Sequence, residues 1–161
     1  MEPLVEEAAK KAAVAWLDVP GAGPAYLVWC AWLDGSLLVV SGPGEQSAPG
    51  LAEAAEAVVS LRGDHGGRIV TWPATVERLD PAGETWAELV PQLAAKRLNG
   101  GTDLAGQWAV SGVVSRLTPS GDTVPLPDDA QAAPPKPSPA TRLPKRPFRL
   151  HRVRGATKTR D

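Results

Sequence analysis

Short apolar runs alternate with turn sequences rich in glycine and proline as far as Leu117. Six of the runs have the length and composition of β-strands, at 12–18, 25–33, 36–41, 57–62, 68–79 and 107–117. The second and third runs are almost continuously apolar, which predicts strands covered on both faces. Asp34 and Gly35 join these two runs. Because both central residues of a type I′ turn need positive φ, this dipeptide predicts a hairpin.

Three further segments have helical patterns. Residues 3–11 place apolar side chains on one face and carry Glu–Lys pairs four residues apart. Residues 51–56 allow about a turn and a half of helix. A longer helix is predicted to begin at Asp80-Pro81, where the carboxylate can cap and proline suits the first helical position. Its apolar stripe consists of Trp86, Leu89, Val90 and Leu93.

Two prolines lie inside these predicted elements. Pro73 interrupts the strand 68–79, which predicts an edge position or a bulge, since proline has no N–H for the ladder. Pro91 lies inside the long helix and is expected to kink it or to divide it in two.

The net charge of −1 conceals a division of the chain. Residues 1–134 carry 17 acidic and 8 basic side chains, whereas residues 135–161 carry 9 basic and 1 acidic. Nine prolines lie in residues 119–147, a composition that buries too little apolar surface to fold. We therefore predict a folded acidic domain, residues 1–124, and a Pro-rich, basic, disordered tail, residues 125–161. The tail could meet a polyanion or fold back on the body, but an acidic body argues against nucleic acid as the main partner.

The start of the chain is acidic, without the apolar core of a signal peptide, and no run reaches the length of a membrane helix. We expect a cytoplasmic protein with no membrane contact. The single cysteine, Cys30, lies in an apolar run and is expected to be a buried small hydrophobe. With one cysteine and two distant histidines, no metal site is predicted.

The order of the elements is helix, three strands, short helix, two strands, helix and strand, with connections too short for several βαβ crossovers. This order resembles the pyridoxamine 5′-phosphate oxidase-like split barrels, flavin- and deazaflavin-binding oxidoreductases common in actinobacteria. The resemblance rests on AVAWLDVPGAGPAYLVWCAWLDGSLLVVSGPGE, AVVSLR and RIVTWPATVERLD. It implies a mainly β fold, a six-stranded antiparallel Greek-key split β-barrel with peripheral helices. It also implies a homodimer that holds its cofactor, FMN or a deazaflavin, in a groove between the subunits.

The segment SGPGEQSAPG, Ser41–Gly50, is the candidate phosphate cradle and is called the glycine loop below. In many members of the family the corresponding loop and helix carry arginine or lysine, but here the only charge is Glu45. The resemblance therefore implies a weakened anion site built from hydroxyl and amide groups. The candidate cofactor-binding residues of the loop are Ser41, Gly42, Gly44, Gln46 and Ser47.

Other elements could supply what the loop lacks. Arg68, Lys96 and Arg97 are candidate charge contacts, and Trp72 is a candidate surface for a flavin ring. For the three cations the alternative is a solvated or helix-capping charge, and for Trp72 it is packing in the core or at a dimer interface.

Two functions remain open at this stage. One is a flavin- or deazaflavin-dependent oxidoreductase acting on a small organic substrate. The other is a cofactor-free split-barrel homodimer that binds a small-molecule ligand or a protein. No catalytic residue can be named, because the sequence contains no arrangement of nucleophile, base and orienting group.

Overall fold

The structure, a computed structural model, describes residues 3–61, 70–98 and 100–124 of the chain. The elements are α1 (Pro3–Lys11), β1 (Val14–Asp18), β2 (Tyr26–Trp29), β3 (Ala31–Leu33), β4 (Ser36–Ser41), β5 (Glu56–Leu61), β6 (Val70–Arg78), α2 (Glu84–Lys96), α3 (Leu104–Ser111) and β7 (Val113–Pro119). All neighbouring strands are antiparallel, in the order β2-β1-β5-β6-β7-β4-β3. The expected antiparallel β fold with peripheral helices is confirmed.

The sheet is nearly closed into a barrel, and its two edges are the consecutive strands β2 and β3. Only Cys30 separates them, and its N–H donates to the carbonyl of Ala13 at 3.0 Å. The run 25–33 is therefore two strands, so the barrel has seven strands rather than the predicted six. The physical reason is the change of partner. Tyr26–Trp29 pairs only with β1 and Ala31–Leu33 only with β4, so the pairing passes from one neighbour to the other at Cys30.

Strand β4 is buried on both of its faces, as its continuous apolar pattern predicts. Leu37 and Val39 point into the barrel core, whereas Leu38 and Val40 lie in a second core beneath α2 and α3. The hairpin between β3 and β4 is also confirmed. Asp34 and its neighbour Gly35 have φ values of 46° and 67°, the positive values that a type I′ turn requires.

The last predicted strand, 107–117, is wrong in its first half. The chain forms helix α3 up to Ser111 and enters β7 only at Val113. The signals lie at the two ends of the helix, where the Asp103 carboxylate accepts the N–H of Gly106 at 3.1 Å and Gly112 ends it. Short apolar runs fit either structure by pattern, and tertiary packing of Trp108 decides here.

The predicted helix at 51–56 is also wrong, because the segment forms successive turns. Leu51 N–H donates to Ala48 O at 3.2 Å, and Ala54 N–H donates to Leu51 O at 3.4 Å. Strand β5 already begins at Glu56, so too few residues remain for the costly first turns of a helix.

Helix α2 begins later than predicted, at Glu84, because Asp80 caps a preceding turn instead. Its carboxylate accepts the N–H of Ala82 at 3.0 Å. The helix continues through Pro91 without division, since its buried stripe compensates for one lost hydrogen bond. The predicted stripe is confirmed, with Trp86, Leu89, Val90 and Leu93 all buried.

Pro73 does not lie on an edge strand, since β6 pairs with both β5 and β7. Its carbonyl accepts the N–H of Ser120 at 3.0 Å, just beyond the last residue of β7. The missing N–H of Pro73 therefore falls where the β6–β7 ladder has ended, and a central strand tolerates it.

The described residues all belong to one compact unit, Met1–Pro127. The predicted tail, residues 125–161, lies outside the described residues, and the boundary at 124 stays a prediction. Within the described ranges, no helix is long and apolar enough to span a membrane.

Candidate functional site

The glycine loop forms the wall of a cavity of about 270 Å³. Four of the five residues predicted from the loop line it, and Gly44 lies beside it. The lining residues are Ser41, Gly42, Glu45, Gln46, Ser47, Ala48 and Pro49. The loop therefore lines an open pocket next to the end of β4.

The Gln46 side chain links strands β2 and β4. Its Oε1 accepts the backbone N–H of Trp29 at 2.6 Å, and its Nε2 donates to the carbonyls of Trp29 at 2.8 Å and Val40 at 3.0 Å. The two bonds to Trp29 satisfy backbone groups on the unpaired edge of β2, and the third satisfies a carbonyl of β4. Both N–H groups of the amide are used in this way, so the Gln46 side chain is a structural clasp, and its predicted contact with a ligand stays a prediction.

Two further contacts hold the loop in place. The Tyr26 hydroxyl donates to the carbonyl of Pro49 at 2.8 Å, and burial raises the pKa of Tyr26, which keeps this donor protonated. Gly42 has φ of 132°, and a Cβ there would come within 2.9 Å of the Ser111 carbonyl. Only glycine allows the loop to approach the end of α3 this closely.

The charged centre of the loop is Glu45, whose carboxylate accepts hydrogen bonds from two distant elements. Arg97, at the end of α2, donates from Nε at 3.1 Å, and Trp108 of α3 donates from its indole N–H at 3.1 Å. The Arg97 guanidinium also lies 5.7 Å from the centre of the Trp29 ring. This distance is within the range of a cation–π interaction. A cation from outside the loop therefore reaches it, but that cation is already paired.

The remaining candidates do not come together at the cavity. Trp72 is fully buried in the barrel core, so the core alternative is correct and its surface is closed to a flavin ring. Lys96 precedes Arg97 but is exposed, and within the described ranges its side chain has no hydrogen-bond or ion-pair partner. Arg68 lies outside the described residues, so its role as a charge contact stays a prediction.

The sequence reasoning missed two of these contributors, Trp108 and Trp29. Trp108 was placed in a strand, where its indole N–H would have had no reason to meet the loop. Glu45 was the one usable signal, because it is the only charge of the loop and the loop offers no cation to pair with it, so any partner must come from another element.

The loop does not fit the phosphate of a flavin cofactor. A dianionic phosphate in the cavity would face the Glu45 carboxylate, and Arg97 is the cation that contacts the loop in the described part of the chain. That pairing leaves the cavity with little net positive charge. Gly44 and Ser47 have backbone N–H groups without a partner among the described residues, but these are weaker donors than a guanidinium.

The fold is shared with several solved structures. HutZ, the heme storage protein from Vibrio cholerae, matches with a TM-score of 0.55 and 13% identity over 76% of this chain and 92% of that one. A putative pyridoxamine 5′-phosphate oxidase from Listeria innocua matches with a TM-score of 0.54 and 16% identity, over 75% and 95%. A FAD-binding protein from Mesorhizobium loti matches with a TM-score of 0.50 and 19% identity, over 75% and 90%.

No family model matches this sequence, and no curated protein matches it. At these identities the structural matches establish the fold, which is that of the pyridoxamine 5′-phosphate oxidase-like split barrels. The resemblance stated from the sequence is confirmed at this level. The actinobacterial type is not tested by these matches.

Proposed function

We propose that this chain is a split-barrel binding protein whose glycine-loop cavity takes a small organic ligand with no phosphate at the loop. The observation that carries the proposal is the ion pair, at 3.1 Å, between Glu45, which lines the cavity, and Arg97 behind it. An internal carboxylate already satisfies the cation that a phosphate would need. A neutral polar group on the ligand meets no such competition.

The size and lining of the cavity support the same class of ligand. Its volume of about 270 Å³ is slightly below the roughly 300–1,000 Å³ usual for sites that enclose drug-sized molecules. The hydroxyls of Ser41 and Ser47 form no hydrogen bond within the described ranges. These groups suit a ring-sized ligand that carries hydroxyl or amide groups.

The protein is proposed to act as a homodimer. Three exposed apolar side chains lie side by side on the outer face of β1 and β2, where Trp16 pairs in register with Leu27. We call this the bare face. It consists of Val14, Trp16 and Leu27, which are 49%, 47% and 51% exposed. A second copy of the chain would remove this apolar surface from water.

A second candidate function is a flavin- or deazaflavin-dependent oxidoreductase. The fold supports it, because the matched structures include a FAD-binding protein and a putative pyridoxamine 5′-phosphate oxidase. In that case the cofactor would supply the redox chemistry. Its phosphate would need a cation other than the paired Arg97, and Arg68 is the candidate that the sequence offers.

Pairs of ligands that differ by one phosphate separate the two functions. We expect the purified protein to be colourless, and riboflavin to bind at least as tightly as FMN in a fluorescence titration. The same order is expected for a nucleoside against its monophosphate in a thermal-shift assay. FMN binding about tenfold tighter than riboflavin, a difference of about 1.4 kcal/mol, would instead favour the oxidoreductase. Arg68→Ala should then remove the difference.

Two matched variants locate the binding. Ser47→Trp places a large side chain in the cavity and should abolish binding of any ligand found. Glu77→Trp makes the same kind of change at an exposed position on β6 and should leave binding intact. Equal binding by both variants would place the ligand outside the glycine loop.

A further inference from the structure

The carboxylate of Glu45 lies between two hydrogen-bond donors from distant parts of the chain. Two donors from separate helices, Arg97 Nε and Trp108 Nε1, each approach one of its oxygens at 3.1 Å. A guanidinium and an N–H group converging on two oxygens is the arrangement with which proteins bind external carboxylates and phosphates. Here the anion belongs to the chain itself.

The donors are held in place independently of Glu45. Trp108 is only 3% exposed and packs in the second core. Arg97 lies over the Trp29 ring and also donates from Nη1 to the carbonyl of Leu98 at 3.1 Å. If the carboxylate were removed, both donors would therefore remain directed toward the space that it fills, beside the cavity that Glu45 lines.

Glu45 is also held in place from its own side. Its backbone N–H donates to the Gly42 carbonyl at 3.0 Å, and the next residue, Gln46, is fixed to β2 and β4. The Glu45 side chain is 10% exposed and that of Arg97 is 35% exposed. The carboxylate cannot easily move into solvent, so a ligand anion would have to displace a well-held competitor.

We propose that Glu45 is the specificity-determining residue of the cavity and that it excludes anionic ligand groups by occupying their place at Arg97 and Trp108. The inference rests on the same cavity as the proposed function, but it does not require the natural ligand to be known. It defines the ligand class by exclusion, since phosphorylated and carboxylate groups are rejected at the loop and neutral polar groups are admitted.

The test measures the binding of inorganic phosphate by titration calorimetry to the full chain and to two variants. Glu45→Ala removes the competitor, and Glu45→Gln keeps its shape but not its charge. We expect phosphate to bind Glu45→Ala about tenfold or more tightly than the wild type, because both donors are released. The gain in Glu45→Gln should be smaller but measurable, because its amide still fills the site but no longer neutralises Arg97. Adding Arg97→Gln to either variant should return the affinity to the wild-type level.

A matched control is Glu53→Gln, which removes one negative charge from an exposed position on the turns after the loop. It should leave phosphate binding unchanged. If Glu53→Gln tightened binding as much as Glu45→Gln, the effect would be one of net charge, and the proposal would be overturned.

The proposal is equally overturned if neither Glu45 variant gains affinity, or if the gain survives Arg97→Gln. Circular dichroism checks that the variants are folded, and Glu45→Gln carries the test if Glu45→Ala is not. The outcome is separable from that of the ligand screen. Failure to find a neutral ligand would count against the proposed function and leave the phosphate measurement standing.

Discussion

The outer face of the sheet is treated differently at its two ends. Helices α2 and α3 pack over β3, β4 and β7, so Leu38 and Val40 are fully buried. Within the described ranges no element packs over the outer face of β1 and β2, and Trp16 and Leu27 remain about half exposed. Both ends carry apolar residues on their outer face. The difference is that helices of the same chain cover the apolar residues of one end and leave those of the other end exposed.

The covered end is also the end that carries the candidate site. Arg97 ends α2 and Trp108 belongs to α3, so the helices that bury β4 also bring the two donors to Glu45. The same two helices therefore bury β4 and complete the candidate site. The bare end has no comparable cluster of polar groups among the described residues, which suits an association surface better than a ligand site.

The largest expected difference between the two ends is in the free energy of unfolding. Leu93→Ala, in the stripe of α2 that covers β4, should lower it by about 2–5 kcal/mol because it leaves a cavity in a packed core. Leu27→Ala on the bare face should change the stability of the isolated subunit by no more than about 0.5 kcal/mol. Urea unfolding at low protein concentration measures both.

The concentration dependence sharpens this comparison. The loss in Leu93→Ala should be the same at every protein concentration, whereas any loss in Leu27→Ala should grow as the wild type is stabilised by association. A loss above about 2 kcal/mol for Leu27→Ala at the lowest concentration would mean that the bare face is covered within the subunit.

Residues of the covered end show how far the sequence could go. The positions that follow from local rules were predictable, such as the continuous apolar run of β4, the positive φ at Asp34-Gly35 and the buried stripe from Trp86 to Leu93. The break at Cys30 was not, since it depends on which strands the run pairs with. The amino-acid pattern of a strand does not show which distant strands it pairs with.

The candidate site was predictable as a place but not as a mechanism. The glycine loop after β4 follows from its composition, and the cavity is there. Its partners come from 52 and 63 residues further along the chain, at Arg97 and Trp108. Gln46 was chosen for its donors, and its amide uses both N–H groups on the backbone of the barrel, while its contact with a ligand stays a prediction.

The second largest expected effect is on the oligomeric state in solution. If a second copy covers the bare face, Trp16→Glu combined with Leu27→Glu should convert a dimer into a monomer of 16.8 kDa, because two charges would have to be buried without partners. Light scattering at micromolar concentration measures this. Val110→Glu is the matched control, since Val110 is 90% exposed on α3, away from the bare face. A monomeric wild type would contradict the homodimer directly.

The smallest effect is expected at Cys30, the residue that joins the bare strand β2 to the covered strand β3. Burial raises the pKa of its thiol from 9.0 to about 12. Between these values the unfolded chain loses the proton and the folded chain keeps it, so the stability that the thiol contributes is complete below pH 9.0 and is lost as the pH rises. At about pH 10 the loss should be on the order of 1 kcal/mol relative to about pH 8. Unfolding of wild type and Cys30→Ala at both pH values isolates it, because the variant keeps every other titrating group. If the two proteins showed an equal pH dependence and iodoacetamide alkylated Cys30 rapidly, the thiol between β2 and β3 would be accessible to solvent.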